Sequence, residues 1–472
     1  MWKTRLQQIL CLISLLVPAI ATWWTAISFD FINWDDPSYI LSNSLIRGWS
    51  LENLSGICTE TVTRNYAPIT IFSYLVDHTI WGLQPAGYHL SNIIGHCICG
   101  MLVYVLVSRL TGSAFVAWTT AMLFLVHPVQ VETVAWVSSR KGILSGIFML
   151  WALVVRLRSD LQPKHDAWYI GLLIAALLSK ALAVVLPPIV FLYDVLIRRD
   201  RISDAIVRQF IPGLISLLLL LHTTGAQNTV MGGVRGHMNL SLAEIVAVDI
   251  TILWQYIGMM IWPADLCVLY DPPTAGIALP VIVGSIGWLI VGAVIWRYRR
   301  EAPLLLWAAA TWLLLLFPVL NFFRITTLMN DRYLYLPCIV FFGVVAALVE
   351  HVASLLMRRW KAELRTAVLM FCSLIISLAA CRRTTEYLPV FGESERLWTY
   401  AMERCPQLVV VRIQMALTLY DRGRTEEAIE VMETALRECE TDELDRRRMV
   451  RTLERWGVSS SQQHASSGGT KS

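Results

Sequence analysis

Two adjacent carboxylates, Asp35 and Asp36, stand in the stretch Phe31-Ile32-Asn33-Trp34-Asp35-Asp36-Pro37, directly after the first long apolar run of the chain. That places them just beyond a membrane surface rather than inside a soluble core. Carboxylates so placed suit one of two tasks, taking a proton from a hydroxyl or ligating a divalent metal. The plain alternative is a solvated Asp-Asp-Pro turn. A second group of residues is basic: Arg64, Arg140-Lys141, Lys180, Arg235, Arg324 and Arg332 break an otherwise one-sided distribution of Lys and Arg. A cation at a helix end is ordinarily a snorkelling anchor. Lys180, in Leu-Leu-Ser-Lys-Ala-Leu-Ala-Val-Val, is different. In so apolar a setting it needs an anionic partner, a protein carboxylate or a lipid phosphate.

Two short stretches carry the same mixed chemistry. His127-Pro128-Val129-Gln130-Val131-Glu132-Thr133-Val134-Ala135-Trp136 is followed by Ser138-Ser139-Arg140-Lys141, and Asn330-Asp331-Arg332-Tyr333 opens a later apolar run. The planar fork of Arg matches a phosphate, and nearby carboxylates suit a metal or a proton acceptor. For Glu132 and Asp331 the competing reading is a local ion pair with Arg140 or Arg332. For His89, His96 and His127 it is a satisfied core histidine. No Walker loop, dinucleotide fingerprint or Ser-His-Asp signature occurs.

The elements that must position these groups are membrane helices. The chain is 56% hydrophobic and 16% charged, with a mean hydropathy of +0.57, whereas soluble domains carry about one quarter charged residues. Apolar runs near residues 6–27, 89–108, 114–127, 142–157, 167–180, 182–197, 208–222, 279–296, 302–320, 335–350 and 364–381 predict an all-α, polytopic membrane protein with about eleven crossings. The run at 114–127 is short for a crossing.

Lys3, Arg5, Arg109, Arg156, Arg158, Lys164, Arg198, Arg199, Arg201, Arg297, Arg299, Arg300, Arg358, Arg359, Lys361 and Arg365 then collect on one face, which the positive-inside rule makes cytoplasmic. A further apolar segment, 246–262, would put several of these outside if it crossed. It is therefore read as re-entrant or interfacial, in keeping with Trp254, Tyr256 and Trp262.

The outer face then carries two long loops, 28–88 and 223–278. The first includes a membrane-lying amphipathic helix over Ile71–Trp81, and the second the Gly-rich stretch Met231–Gly236. The initial run, with Ala19-x-Ala21 after Lys3 and Arg5, is read as an uncleaved anchor because apolar character continues to Ile27. The net charge of +4 is modest, and no nucleic-acid partner is expected. The ten cysteines show no zinc or redox spacing, and Cys97-x-Cys99 reads as packing. Cys58, Cys267, Cys381, Cys405 and Cys439 lie nearer water, where sequence does not tell a disulfide from free thiols.

Three regions follow: a membrane domain over 1–381, soluble helices over 382–457, and a Ser-, Gly- and Gln-rich tail over 458–472 expected to be disordered. Gly423-Arg424-x-x-Glu427-Ala428 with Met432 and Ala435 has tetratricopeptide-repeat spacing, one repeat over 409–442 preceded by half of another around Trp398, Ala401 and Pro406. So short an array is expected to pack on the outer face of the membrane domain.

Several motifs occur together and in order: Asn33-Trp34-Asp35-Asp36-Pro37, Arg64-Asn65-Tyr66-x-Pro68, Trp81-Gly82-Leu83-x-Pro85-x-Gly87-Tyr88-His89, His127-Pro128-x-x-Val131-Glu132, Ser138-x-Arg140-Lys141, Leu178-Ser179-Lys180 and Asp331-Arg332-Tyr333. As a set this resembles the transmembrane and tetratricopeptide-repeat family of protein O-mannosyltransferases and its bacterial relatives, within the GT-C glycosyltransferases. The likeness extends to about residue 440. It implies transfer of a sugar, such as mannose, from a polyprenyl-phosphate donor to a hydroxyl acceptor on the extracytoplasmic face of a membrane, such as a bacterial inner membrane.

The resemblance makes Asp35, Asp36 and Glu132 the catalytic candidates, with Asp35 and Asp36 also the candidate metal ligands. Arg332 and Lys180 become the first candidates for the donor phosphate and Arg140 and Lys141 the second, with Arg64, Tyr66, His89 and His127 for acceptor binding or loop positioning. The repeat region is shorter than in longer relatives, so the acceptor stays open among protein, glycan and lipid. A transporter would show matching broken helices in two halves, and here 246–262 is the single candidate. A scaffold that presents repeats would need neither Asp35-Asp36 nor the outward cations.

Overall fold

The computed structural model describes residues 5–63, 65–157, 162–231, 240–322, 327–439, 441 and 443–458. Arg64, Arg235, Arg324, most of the Gly-rich stretch and nearly all of the tail lie outside the described residues. Among the described residues there is no strand, only an isolated bridge between Val62 and Asn65.

The helices, in order, are α1 Arg5–Trp23, α2 Leu51–Thr59, α3 Pro68–Trp81, α4 Pro85–Thr111, α5 Ala114–Val126, α6 Val131–Ala135 and α7 Arg140–Arg156. Next come α8 Pro163–Ser179, α9 Leu186–Tyr193, α10 Ile202–Met231, α11 Leu242–Ile261, α12 Ala278–Tyr298 and α13 Pro303–Leu316. The last are α14 Pro337–Leu356, α15 Ala362–Tyr387, α16 Ser394–Arg404, α17 Val409–Asp421, α18 Thr425–Glu438 and α19 Glu443–Arg455. Proline opens α3, α4, α8, α13 and α14, where its missing N–H costs nothing. The α4–α5 corner uses Gly112 at φ +68°, a left-handed C-cap, and the Ser113 side chain then accepts from the Val116 N–H as N-cap of α5.

Among the described residues nine helices are long and apolar enough to cross a membrane, or ten if the bent pair Ala114–Val126 and Pro128–Ala135 counts as one span. This differs from about eleven expected crossings in three places. The helix over 163–179 has 17 residues, and Pro303–Val319 is a shorter apolar helix. The segment around 246–262 is one unbroken helix, Leu242–Ile261, that meets the length and composition of a span. Contacts nevertheless tie the first half of α11 and the residues just beyond its end to one end of the bundle. Asp249 accepts from the Asn321 side-chain amide at 2.7 Å, just beyond α13, and the carbonyls of Pro263 and Ala264 accept from Arg383 near the end of α15.

The short run at 114–127 has a physical cause. Pro128 cannot continue α5, and His127 before it is extended at φ −76°, ψ 137°. The chain bends by 53° into the next helical piece, which turns Glu132 inward. α5 sits at the centre of the bundle, buried along nearly its whole length against α1, α4, α14 and α15. α12 is the opposite case, with Gly284 its one buried residue.

The two ends of the bundle differ. At one, Arg109 donates to the Val154 carbonyl at 2.6 Å and Arg156 pairs with buried Asp194 at 2.7 Å. At the other gather the loop after α1, the α5–α7 corner, the α11–α12 loop, residues 327–336 and the C-terminal helices. The segment expected to lie on the membrane, α3, packs against α4 and α8 with Asp77 buried. α17 and α18, joined at Gly423 with φ +79°, occupy the stretch read as one repeat. Val409, Ile413, Ala416, Met432, Ala435, Met449 and Leu453 form their own core with α19.

Candidate functional site

The carboxylates of the first loop have different surroundings. Asp36 is fully buried. Its Oδ2 accepts from the Ile32 N–H at 2.8 Å, and its Oδ1 accepts from the Ser138 N–H at 2.9 Å and from the Ser138 hydroxyl. Burial dominates its titration and pushes the carboxyl up to about 6 against those hydrogen bonds. Asp36 therefore closes the 32–36 turn onto the α6–α7 corner.

Asp35 points elsewhere. Its Oδ2 lies 3.6 Å from Lys141 Nζ, and the two side chains are 22% and 14% exposed. Lys141 also stands over the Tyr39 ring, 5.1 Å from its centroid.

A second ion pair completes the cluster. Glu132, fully buried on α6, accepts the Arg332 backbone N–H at 2.8 Å and the Arg332 guanidinium. The guanidinium is packed beside the rings of Trp136 and Tyr333, 5.6 and 5.4 Å from their centroids. Lys180 ends α8 with an extended backbone at φ −159°, ψ 127°. It lies within electrostatic reach of Lys141, Arg332 and Glu132, and its Nζ is 3.9 Å from where a Cβ on Gly142 would stand. Three cations, Lys141, Lys180 and Arg332, thus share one neighbourhood with two carboxylates, Asp35 and Glu132.

Asp331 turns away from its neighbour. It accepts from the Tyr270 hydroxyl, and burial, followed by the charge of Glu132, holds its carboxyl well above the usual range.

Other residues singled out in the sequence lie apart from this cluster. Arg140 is buried and fully engaged: it pairs with Asp77 at 2.5 Å and donates to Asn92 Oδ1 and the Tyr88 carbonyl, each at 2.8 Å. It fastens α7 to α3 and α4 and has no fork free for a phosphate. His89 is buried edge-on against Phe29, ring centroids 6.1 Å apart. His127 accepts the Val129 N–H at 3.3 Å and packs on Phe342. Tyr66 donates to the Cys58 carbonyl at 2.8 Å and meets His222 edge-on. These act on the loop and the core.

Asp35 and Asp36 diverge: both Asp36 oxygens accept hydrogen bonds within the loop and from Ser138, and the Asp35 carboxylate faces Lys141. Among the described residues no group of three His, Cys, Asp or Glu side chains converges.

The residues that sequence reasoning missed are those gripping the loop from above. The Asn33 side-chain amide donates to Thr418 Oγ1 at 2.7 Å, its carbonyl accepts from the Trp398 indole at 2.6 Å, and its N–H donates to Ser394 Oγ at 2.9 Å. The Asp30 N–H donates to the Gly392 carbonyl at 3.0 Å. The Trp34 ring lies between Trp136 and Trp398, with centroids 5.6 and 5.0 Å away. Asp77 did carry a signal: a lone carboxylate inside an apolar helix needs a buried cation. The grip on Asn33 had none, since its partners lie far along the chain.

Fold and site together define an all-helical multi-pass membrane protein with a mostly buried, cation-rich cluster beneath a clamped acidic loop. No protein-family model matches the chain. It resembles protein O-mannosyl-transferases. It is 23% identical over 452 residues to the protein O-mannosyl-transferase F38B6.6 of Caenorhabditis elegans, covering 90% of this chain and 62% of that protein. It is 30% identical over 156 residues to Tmtc1 of Drosophila melanogaster, 32% of this chain and 18% of that protein. The chain thus spans less than two thirds of these relatives. ArnT from Cupriavidus metallidurans bound to undecaprenyl phosphate aligns over 92% of this chain and 76% of its own at 13% identity, with a TM-score of 0.44. The Archaeoglobus fulgidus oligosaccharyltransferase aligns over 84% and 55%, also at 13% identity and 0.44. Structural similarity at that level is too weak to define a shared fold.

Proposed function

We propose that this protein is a membrane glycosyltransferase that moves a sugar from a polyprenyl-phosphate donor to a hydroxyl acceptor on the extracytoplasmic face. Mannose is the proposed sugar and protein Ser or Thr the proposed acceptor, on the likeness to the O-mannosyl-transferases. The loop end of the bundle, with residues 382–472, then lies outside the cytoplasm of a cell whose inner membrane holds the chain. The observation that carries this reading is the crowding of Lys141, Lys180 and Arg332 beside the partly exposed Asp35, so close that burial and the two neighbouring cations push the Lys180 ammonium down to about 7. Partly buried cations outnumbering their carboxylates call for an anion, and Asp35 stands where a proton acceptor would act beside it.

The chemistry follows from that placement. The acceptor hydroxyl oxygen bonds to the anomeric carbon while Asp35 takes its proton. The bond from that carbon to the phosphate oxygen breaks, and its electron pair leaves on the lipid phosphate. The departing phosphate gains a charge at that moment, and Lys141, Lys180 and Arg332 stabilise it. Glu132 holds the Arg332 fork in place, and no step is assigned to a metal.

Purified protein in lipid nanodiscs, given polyprenyl-phosphate mannose and a Ser/Thr-rich peptide, should produce a hexose-bearing peptide by mass spectrometry. Replacing the peptide by a glycan or a lipid alcohol tests the other acceptors. Transfer from a nucleotide sugar and none from the lipid-linked donor would overturn the reading.

A further inference from the structure

Two cysteines from distant parts of the chain meet at the loop end of the bundle. Cys267 lies in the loop between α11 and α12 and is buried, and Cys405 follows α16 and is partly exposed. The segments that carry them are already joined: Tyr400 donates to the Leu266 carbonyl at 3.1 Å, and Cys405 Sγ lies 3.4 Å from the Leu269 carbonyl oxygen. The two thiol side chains lie within electrostatic reach of each other. The pairing leads straight to the site, because the Tyr270 hydroxyl donates to Asp331, next to Arg332.

We propose that Cys267 and Cys405 are a disulfide pair that staples the α11–α12 loop to the C-terminal helices. This rests on the placement of the loop end outside the cytoplasm, where disulfides form and persist, and not on sugar transfer itself. With Cys405 Sγ against the backbone two residues from Cys267, the two sulfurs need only a small approach to reach disulfide distance.

The chemistry balances with a disulfide of an extracytoplasmic thiol oxidoreductase as oxidant. The neighbouring Cys267 lowers the Cys405 thiol below its usual value, which favours its thiolate. That thiolate, on the more exposed of the two cysteines, attacks one sulfur of the oxidant and expels the other as a thiolate. Cys267, giving up its proton, then attacks Cys405 Sγ and expels the oxidant. Two electrons and two protons pass to the oxidant, which leaves as a dithiol.

The test blocks free thiols with an alkylating reagent in denaturant before any reduction, then maps peptides by mass spectrometry. A reporter fused after Gly457 reads sidedness in parallel. The expected result is a linked pair of peptides carrying Cys267 and Cys405, lost in both Cys267→Ser and Cys405→Ser. Reduction should also speed proteolysis of the C-terminal helices severalfold in wild type and leave both variants unaffected. Alkylation of both residues before reduction, linkage of either to another cysteine, or a cytoplasmic reporter result would overturn the pairing. Failure of sugar transfer with the disulfide present would overturn only the reading of the activity.

Discussion

The different surroundings of the two adjacent carboxylates predict opposite behaviour for two conservative substitutions. Asp35→Asn removes a charge that is 22% exposed and 3.6 Å from Lys141. Neutralising one partner of so sheltered a pair leaves Lys141 less compensated and should cost about 1–3 kcal/mol, so melting in detergent should fall modestly. If Asp35 is the base, transfer should fall about 10²–10⁴-fold, or about 2.7–5.5 kcal/mol of barrier. Asp36→Asn acts on the fold. Asn offers one acceptor where Asp36 offers two, so one buried N–H of Ile32 or Ser138 faces an amide donor, at a cost of about 1–3 kcal/mol.

Against that cost stands relief from burying a charge. The Asp36 carboxyl, at about 6 rather than 3.8, is shifted by about 2 units, or about 3 kcal/mol. For an acid raised in the folded state, the stability contributed by the neutral form is fully present below 3.8 and lost as pH climbs through about 6. At pH 7.5 the two terms nearly cancel and the variant should melt close to wild type. At pH 5 nearly half of the relief, roughly 1.4 kcal/mol, is gone, and the variant should be the less stable. Its turnover per folded molecule should stay within about tenfold of wild type, since no oxygen of Asp36 faces the cations. Donor-dependent kinetics and melting curves at the two pH values decide the matter. Wild-type turnover by Asp35→Asn, or a loss of a hundredfold or more confined to Asp36→Asn, would refute this division of labour.

Arg332→Lys keeps the charge but loses the fork that Glu132 orients; KM for the lipid-linked donor should rise roughly tenfold, about 1.4 kcal/mol, and an unchanged donor KM would leave Arg332 a structural anchor. Arg140→Lys should destabilise by roughly 2–4 kcal/mol, because one ammonium cannot replace the bonds to Asp77, Asn92 and the Tyr88 carbonyl; donor KM of the folded fraction should stay put, and a selective rise would return Arg140 to the phosphate. Trp398→Phe keeps an aromatic beside Trp34 but removes the hydrogen bond to Asn33; kcat should fall several-fold with donor KM unchanged, and equal loss in both would mean a general loosening.

The all-helical membrane architecture was legible because apolar runs need no knowledge of their partners. Length alone misjudged the place where an apolar run breaks into two helical pieces, the bend at Pro128. The Asn33-Trp34-Asp35-Asp36-Pro37 stretch stood out by its chemistry, yet nothing local separates Asp35 from Asp36. That difference comes from Ser138, which arrives from another part of the chain to occupy one Asp36 oxygen. Sequence set Arg332 ahead of Arg140 for the donor phosphate but held no physical reason for the order. Arg332 meets Glu132 from across the fold and keeps a partly open face, whereas Arg140 meets Asp77 and closes on it. The local pairing expected for Asp331 gave way to Tyr270, a partner from a loop that carries no motif.

The grip on Asn33 has a consequence for how this chain can be divided. Composition draws a border near residue 381, and a fragment cut there would keep every charged group of the cluster. It would lose Gly392, Ser394, Trp398, Gln414 and Thr418, which hold residues 30–33. The inheritable unit of this site therefore runs through α17. A chimera that exchanges the C-terminal helices for those of another protein replaces half of the socket in which Asp35 is seated, and a recombination point that respects the site falls beyond Thr418.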